Sequence, residues 1–128
     1  MIEVKIITVD GTYKICEATI LNVVTTNGQM GILPNHMPLV AMLQISKLSF
    51  ETNNQREEYA IAGGMLYFNN NIATILVDTI ESSNEIDIQR ATEAKLRAEK
   101  LLSENSDKID VNRAEIALKK ALNRLSLK

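Results

Sequence analysis

The hydrophobic pattern of the chain changes once, near residue 84, and this change limits the folds that it can adopt. Before it, short runs that alternate or are rich in β-branched residues end at turn signals such as Asn27-Gly28. From Asp87 onward glycine and proline are absent, and apolar residues recur at the spacing of an amphipathic helix. The sequence therefore predicts a β + α fold, with a β-sandwich over residues 1–84 and an antiparallel two-helix hairpin over residues 85–128.

The apolar stripes of the two predicted helices are rich in alanine. They consist of Ala91, Ala94, Ala98 and Leu101 in the first helix, and of Ala114, Leu118, Ala121 and Leu125 in the second. Asp87 and Asp110 are well placed to cap the helices. An alanine seam lets helices approach closely but buries little area, so two helices of about 15 residues would be marginal alone. We therefore expect the hairpin to pack on the sandwich or to exist in more than one arrangement.

Charge and composition exclude several classes of function. The net charge of −2 and the sequence pI near 5.4 argue against nucleic acid as a partner. One cysteine, Cys16, and one histidine cannot make a usual metal site. No apolar run approaches the ~18 residues of a membrane-spanning helix, so the sequence predicts no direct membrane insertion.

The segment "GQMGILPNHMPL", residues 28–39, holds both prolines and the only histidine of the chain. It is too apolar for an ordinary solvated loop and too interrupted by glycine and proline for a helix. His36 could act as a general base only beside a nucleophile and an orienting acid, and neither stands out in the sequence. A structural or interface histidine is the favoured interpretation.

Four cations of the predicted hairpin should meet in one patch. They are Arg90, Arg97, Lys120 and Arg124. Residues seven apart share a helix face, and an antiparallel hairpin brings the start of the first helix beside the end of the second. Such a cluster repels itself unless an anion joins it. The sequence allows two kinds of neutralising anion. One is a nearby carboxylate such as Glu81 or Glu93; the other is a polyphosphate, which arginine recognises by bidentate hydrogen bonds. No Walker-type loop is present, so any nucleotide would be bound and not hydrolysed.

Three motifs resemble signatures of one family, the epsilon subunit of bacterial F-type ATP synthase. They are "GQMGILPNHMPLVAML", "AIAGGMLYFNNNIATILVDTIE" and "EIDIQRATEA". They occur in the order of the family and span the whole strand-then-helix layout. The resemblance implies a non-catalytic central-stalk subunit, which couples rotation between the membrane c-ring and the gamma subunit. It implies a peripheral position on the cytoplasmic face of the bacterial cell membrane, as part of the F1 sector.

The resemblance also implies that the C-terminal helices switch between two arrangements. Folded on the sandwich, they leave the motor free; extended along gamma, they reach the alpha/beta catalytic hexamer and inhibit ATP hydrolysis. No cofactor is required, but ATP stabilises the folded hairpin in some members as a regulatory ligand. The residues to which the resemblance assigns this ATP site are Glu81, Ile86, Asp87, Arg90, Ala91, Arg97, Lys120 and Arg124. Lys120 stands where an arginine is expected, and lysine lacks the planar fork of a guanidinium.

A second set of residues is assigned by the resemblance to the c-ring interface. These residues are Gln29, Ile32, Leu33, His36 and Met37. Because their partner is absent from the isolated chain, we expect His36 and its apolar neighbours, Ile32 included, to be substantially exposed. Gln29 stands where many relatives carry an acid, so a charge-based contact is not expected at this position.

Two other functions compete with the stalk subunit. One is a stand-alone nucleotide-sensing module, in which the sandwich carries a nucleotide-gated hairpin outside any ATPase. The other is a nucleic-acid regulator that uses the basic helices, which the acidic pI disfavours. Co-purification with a gamma-like coiled-coil partner separates the stalk subunit from the stand-alone sensor.

Overall fold

A computed structural model describes residues 1–103 and 111–127 of the chain, and in them eight strands precede two helices. The strands are β1 (Ile2–Thr8), β2 (Gly11–Ala18), β3 (Ile20–Thr25), β4 (Gly28–Ile32), β5 (Leu39–Thr52), β6 (Gln55–Asn69), β7 (Ile72–Val77) and β8 (Ile80–Ser82). The helices are α1 (Ile88–Ser103) and α2 (Val111–Ser126). The predicted strand-then-helix-hairpin fold class is confirmed.

The strands hydrogen-bond in the order β2-β1-β7-β6-β5-β3-β4, and β8 pairs with β6. Every pair is antiparallel except β1 with β7. Asparagines form the turns after β5 and β6, where Asn54 and Asn71 adopt positive φ angles of 64° and 62°. Asparagine tolerates this left-handed region better than most residues, which explains its repeated use here.

The core consists mainly of aliphatic side chains, but its largest fully buried members are Phe50 and Phe68. Ile2, Val4 and Ile6 are fully buried, as the alternation of β1 predicts. Along β5 the buried side chains change from an odd position, Leu43, to even positions such as Leu48. The change follows Leu43, which pairs with Gly64 of β6. A Cβ on Gly64 would lie 2.2 Å from the Leu76 carbonyl oxygen, so the close approach of β6 and β7 requires glycine.

The helices begin and pack as their sequences suggest. The Asp87 carboxylate accepts a hydrogen bond from the Arg90 backbone N–H at 3.1 Å, so Asp87 is the N-cap of α1. Asp110, the predicted cap of α2, lies outside the described residues. Four alanines of the predicted seam are buried, namely Ala91, Ala98, Ala114 and Ala121.

The hairpin is tied to the sandwich through the end of α2. Asn123 Nδ2 donates hydrogen bonds to the carbonyl oxygens of Ser46 at 2.8 Å and Ile61 at 3.3 Å. These carbonyls belong to β5 and β6, the two longest strands. Neither α1 nor α2 is long and apolar enough to span a membrane.

Candidate functional site

A cavity of about 360 Å³ opens between β8 and the two helices, and we call it the arginine cavity. Its lining residues are Glu81, Glu85, Asp87, Arg90, Ala91, Ala94, Arg97 and Arg124. Strand β8 supplies Glu81, α1 supplies Arg90 and Arg97, and α2 supplies Arg124. The antiparallel hairpin brings these elements together, as the spacing of the arginines predicts.

One arginine of the cavity is already neutralised. Arg124 Nε lies 2.7 Å from Glu81 Oε1, and the two side chains are only 30% and 28% exposed. Of the two anions that the sequence allows, a nearby carboxylate therefore neutralises Arg124. Within the described ranges, Arg90 and Arg97 are exposed and make no ion pair. Two guanidinium groups are thus available to an anion at the mouth of the cavity.

Two of the eight residues assigned to the ATP site do not line the arginine cavity. Lys120 lines a neighbouring pocket of about 10 Å³ with Asn123 and Arg124. Ile86 is buried and does not line the cavity. The other six assigned residues all line the cavity.

Two residues that line the cavity, Glu85 and Ala94, were not among the site residues predicted from the sequence. Ala94 could have been found, because it lies four residues after Arg90 and three before Arg97, on the same helix face. Its small side chain leaves room between the two guanidinium groups. Glu85 carried no such signal, since it precedes the helix and its position depends on a contact with a distant strand.

Glu85 is held by hydrogen bonds from two sides. The Tyr13 hydroxyl and the Ser82 backbone N–H both donate to Glu85 Oε1. The bond from Tyr13, followed by that from Ser82, lowers the pKa of the Glu85 carboxyl below its usual value. Burial, with the same bond to Glu85, raises the pKa of the Tyr13 hydroxyl. Glu85 is therefore an ionised, fixed carboxylate at the edge of the arginine cavity.

The loop of residues 33–38 is built around a left-handed asparagine. Asn35 has φ 68°, its backbone N–H donates to Asn71 Oδ1 at 2.6 Å, and Asn71 Nδ2 donates to Asn35 Oδ1 at 3.2 Å. The His36 ring packs edge-on against Phe68, with ring centres 5.9 Å apart. Its Nδ1 donates to the Met37 carbonyl at 2.8 Å. These contacts fix the loop on the β6–β7 turn and agree with a structural histidine.

The exposure expected for this loop is found at two apolar residues and not at the third. Leu33 is 57% exposed and Met37 is 72% exposed, whereas Ile32 is 0% exposed. The expectation that Ile32 is exposed is wrong, because Ile32 ends β4 in register with Leu21 and its side chain faces the core. Gln29 is exposed on the opposite face of the same strand. His36 is half-buried.

The sandwich also carries an exposed apolar surface whose residues were not identified from the sequence. It consists of side chains between 41% and 63% exposed, namely Ile15, Val40, Met42, Tyr67 and Leu76. In the strand register, Val40 of β5 lies opposite Tyr67 of β6. Met65 of β6 lies between Met42 of β5 and Leu76 of β7. Directly opposed side chains touch in antiparallel sheets, so these residues form one surface, which we call the outer face. A contiguous apolar surface of this kind is typical of a protein interface.

The fold, the apolar outer face and the arginine cavity define a class: a β-sandwich protein with a C-terminal helical hairpin. Residues 1–83 match the family described as ATP synthase, Delta/Epsilon chain, beta-sandwich domain. Residues 84–128 match the one described as ATP synthase, Delta/Epsilon chain, long alpha-helix domain. The chain therefore belongs to the delta/epsilon chain family of ATP synthase, as its motifs predict.

Curated relatives agree with this assignment over nearly the whole chain. The chain is 39% identical to the ATP synthase epsilon chain of Bacillus licheniformis, covering 98% of this chain and 96% of that one. It is 40% identical to the epsilon chain of Bacillus cytotoxicus, covering 97% and 93%. The prediction of a non-catalytic ATP synthase subunit of the epsilon type is confirmed.

Solved structures share the fold at lower identity. A chain in the Euglena gracilis mitochondrial ATP synthase, in a structure of OSCP, F1 and the c-ring, aligns with a TM-score of 0.85 at 23% identity, covering 98% of this chain and 79% of that one. A chain in the central stalk and c-ring structure of the Tetrahymena thermophila mitochondrial ATP synthase aligns with a TM-score of 0.64 at 12% identity, covering 99% and 96%. These likenesses support the fold alone.

Proposed function

We propose that the chain is a central-stalk subunit that couples rotation between the c-ring and the gamma subunit of ATP synthase. Membership of the delta/epsilon chain family carries this proposal. The similar chains of the Euglena and Tetrahymena structures come from assemblies that contain a c-ring. The chain would be peripheral, as part of the F1 sector on the cytoplasmic face of the bacterial cell membrane.

The outer face is the surface that we assign to gamma. Its five exposed apolar side chains form a flat patch that a helix of a coiled coil can cover. Lys5 pairs in register with Ile15 and Thr74 and so adds a charge among the apolar side chains. Charge at an otherwise apolar interface favours one orientation of the partner. Val40→Asp should therefore weaken gamma binding while the free chain still folds, since Val40 is exposed.

The loop of residues 33–38 is the surface that we assign to the c-ring. Leu33 and Met37 supply exposed apolar area, and two prolines with the Asn35–Asn71 hydrogen bonds hold the loop in one shape. A rigid loop loses little conformational entropy on docking, which favours affinity. Gln29 is exposed on β4 and would offer a neutral amide to the same partner.

We assign regulation to the helical hairpin. Its buried seam consists of alanines, which bury few atoms, so little free energy separates the folded hairpin from an extended one. In the extended arrangement the helices would reach the alpha/beta hexamer and inhibit ATP hydrolysis. Exposed apolar side chains on both helices, such as Leu96 and Ile116, would be covered there.

ATP is the ligand that we assign to the arginine cavity. The volume of about 360 Å³ lies within the usual range for small-ligand sites. Arg90 and Arg97 would contact the phosphates, and Arg124 would join them by exchanging Glu81 for a phosphate oxygen. The adenine would lie near the Ile86–Asp87 turn, where carboxylates accept hydrogen bonds. Since the cavity exists only in the folded hairpin, bound ATP would stabilise that state.

Titration of the full chain with ATP by calorimetry tests this assignment. We expect binding to weaken most in Arg90→Ala and to weaken in Arg124→Gln. Lys119→Ala is the matched control, because Lys119 is an exposed cation of α2 that does not line the cavity. Absence of heat at millimolar ATP, or equal affinity in Arg90→Ala and the parent chain, would refute the ATP site. Co-purification with gamma, and its loss in Val40→Asp, tests the stalk role independently of ATP.

A further inference from the structure

Five residues, 83–87, connect β8 to α1, and one of them is anchored to a strand from the other end of the sequence. The Tyr13 hydroxyl on β2 donates to Glu85 Oε1 across 72 sequence positions. The same oxygen accepts the Ser82 backbone N–H at 3.1 Å, and the Glu85 N–H returns to the Ser82 carbonyl at 3.0 Å. The linker is thus closed into a tight turn, and its Glu85 carboxylate is bonded to β2.

Tyr13 is itself held rigidly by the sandwich. Its ring packs edge-on against Tyr59 with centroids 6.0 Å apart, and Tyr59 stacks on the buried Phe50 at 5.7 Å. The neighbouring Lys14 Nζ lies 3.1 Å from Glu57 Oε2 and fixes the same stretch of β2 against β6. The Tyr13 hydroxyl is therefore a donor whose position is set by aromatic packing, and not a mobile surface group.

Glu85 also lines the arginine cavity, together with Glu81 from β8 and with Arg90 and Arg97 from α1. The cavity is consequently lined by both the sandwich and the helices. Glu81 and Glu85 are bonded to the sandwich, whereas Asp87 caps α1 and the two arginines lie on it. Only Ile86 and Asp87 separate the anchored carboxylate from the first residue of α1.

We propose that Tyr13 is a positioning residue of the arginine cavity, which anchors the linker at Glu85 and confines the pivot of the hairpin to Ile86 and Asp87. The anchor sets the direction in which α1 leaves the sandwich, and so places Arg90 and Arg97 over Glu81. This inference deepens the regulatory role given under the proposed function and rests on it for its consequence on ATP. The anchor itself is a property of the nucleotide-free chain.

The size of the effect follows from the type of bond. A hydrogen bond to a charged group stabilises more than a neutral one, but this bond lies at an exposed site. We expect its loss to raise the fraction of opened linker about three- to tenfold. Because apparent affinity scales with the fraction of competent protein, ATP binding should weaken by no more than the same factor.

Amide hydrogen exchange of the full chain without nucleotide tests the anchor. In Tyr13→Phe the ring and its packing remain and only the hydroxyl is lost. Amides of residues 82–87 and of the first turn of α1 should exchange about three- to tenfold faster, and those of the core strands should not change. Tyr67→Phe, which removes an exposed hydroxyl from the outer face, should leave the linker unaffected.

A double-mutant cycle separates anchoring from general destabilisation. Glu85→Ala should accelerate exchange of the same amides, and Tyr13→Phe added to Glu85→Ala should have little further effect, because the two residues act through one bond. Additive effects would overturn the proposal. So would unchanged linker exchange in Tyr13→Phe, or faster exchange throughout β2 and its neighbours.

Titration of the parent chain and of Tyr13→Phe with ATP distinguishes failure of the Tyr13 anchor from failure of the ATP assignment. If the parent chain binds ATP, Tyr13→Phe should weaken binding by no more than the three- to tenfold rise in the opened fraction. A loss of affinity greater than about tenfold would refute positioning through the linker, because Tyr13 would then act on the ligand in another way. If the parent chain does not bind ATP, the ligand assignment fails. The exchange experiment then still decides whether Tyr13 anchors the hairpin.

Discussion

Ile32 and Leu33 are neighbours in sequence, but replacing each by alanine should change the stability of the free chain by very different amounts. Ile32 is 0% exposed and Leu33 is 57% exposed. Truncation of a buried isoleucine typically destabilises a protein by about 2–5 kcal/mol, because transfer free energy is lost and a cavity is left. An exposed side chain outside such features changes stability by about 0.5 kcal/mol or less. The two variants should therefore differ by at least about 1.5 kcal/mol.

The chain offers its own probe for this experiment. Its three tyrosines all lie in strands of the sandwich, at positions 13, 59 and 67. Thermal unfolding followed by near-ultraviolet circular dichroism therefore reports the sandwich and not the helices. At roughly 4 °C per kcal/mol for a domain of this size, Ile32→Ala should lower Tm by about 8–20 °C, and Leu33→Ala by about 2 °C or less.

Binding completes the test, since the two residues also differ in their predicted role. Leu33→Asp should keep the Tm of the free chain near that of the parent and should weaken assembly with the membrane sector. A loss of less than 1 kcal/mol in Ile32→Ala would show that the burial of β4 is wrong. An equal loss in Leu33→Ala would show that the loop belongs to the core and would remove the c-ring assignment.

Three further predictions concern the alanine seam of the hairpin, the contact between β6 and β7 at Gly64, and the linker. Ala121→Leu places a larger side chain at a fully buried seam position, so overpacking by about 1–3 kcal/mol should reduce helical circular dichroism while the tyrosine signal melts as before. Gly64→Ala puts a Cβ against the Leu76 carbonyl, and we expect loss of about 3 kcal/mol or more in the tyrosine melt. The pKa of Glu85 is lowered by its bonds to Tyr13 and Ser82, so the stability that these bonds contribute is present above the unfolded pKa and is lost as pH falls through the folded one. The Ser82 amide resonance should accordingly titrate below the usual carboxyl range, with a higher midpoint in Tyr13→Phe.

Features that depend on a few neighbouring residues could be predicted from the sequence. The alternation of β1, the asparagine turns and the Asp87 cap each follow from local stereochemistry or a single local hydrogen bond. Of the four cations predicted to converge, three line the arginine cavity, and their convergence required only the helical period and an antiparallel hairpin. Lys120 was wrongly included, since it lines the neighbouring small pocket instead.

Features that depend on distant pairing could not be predicted in the same way. Ile32 stands beside exposed apolar residues, and only its register with Leu21 reveals that it faces the core. The outer face escaped prediction because β5 is apolar on both sides over residues 39–43, so alternation gave no direction. The Tyr13–Glu85 contact joins an edge strand to the linker and leaves no periodic signal at all.

Between the described residues, few contacts hold the hairpin on the sandwich, so under the proposed switching role a small ligand would be sufficient to control the hairpin. Asn123 contributes two neutral hydrogen bonds, at about 0.5–1.5 kcal/mol each. The Glu81–Arg124 pair, whose side chains are just under one-third exposed, adds about 1 kcal/mol or less after solvent screening, and the alanine seam adds little area. A ligand at 100 times its Kd stabilises the state that binds it by about 2.7 kcal/mol, which is comparable to the sum of these contacts. An anion in the arginine cavity could therefore decide which arrangement of the helices is populated, without any large change in the sandwich.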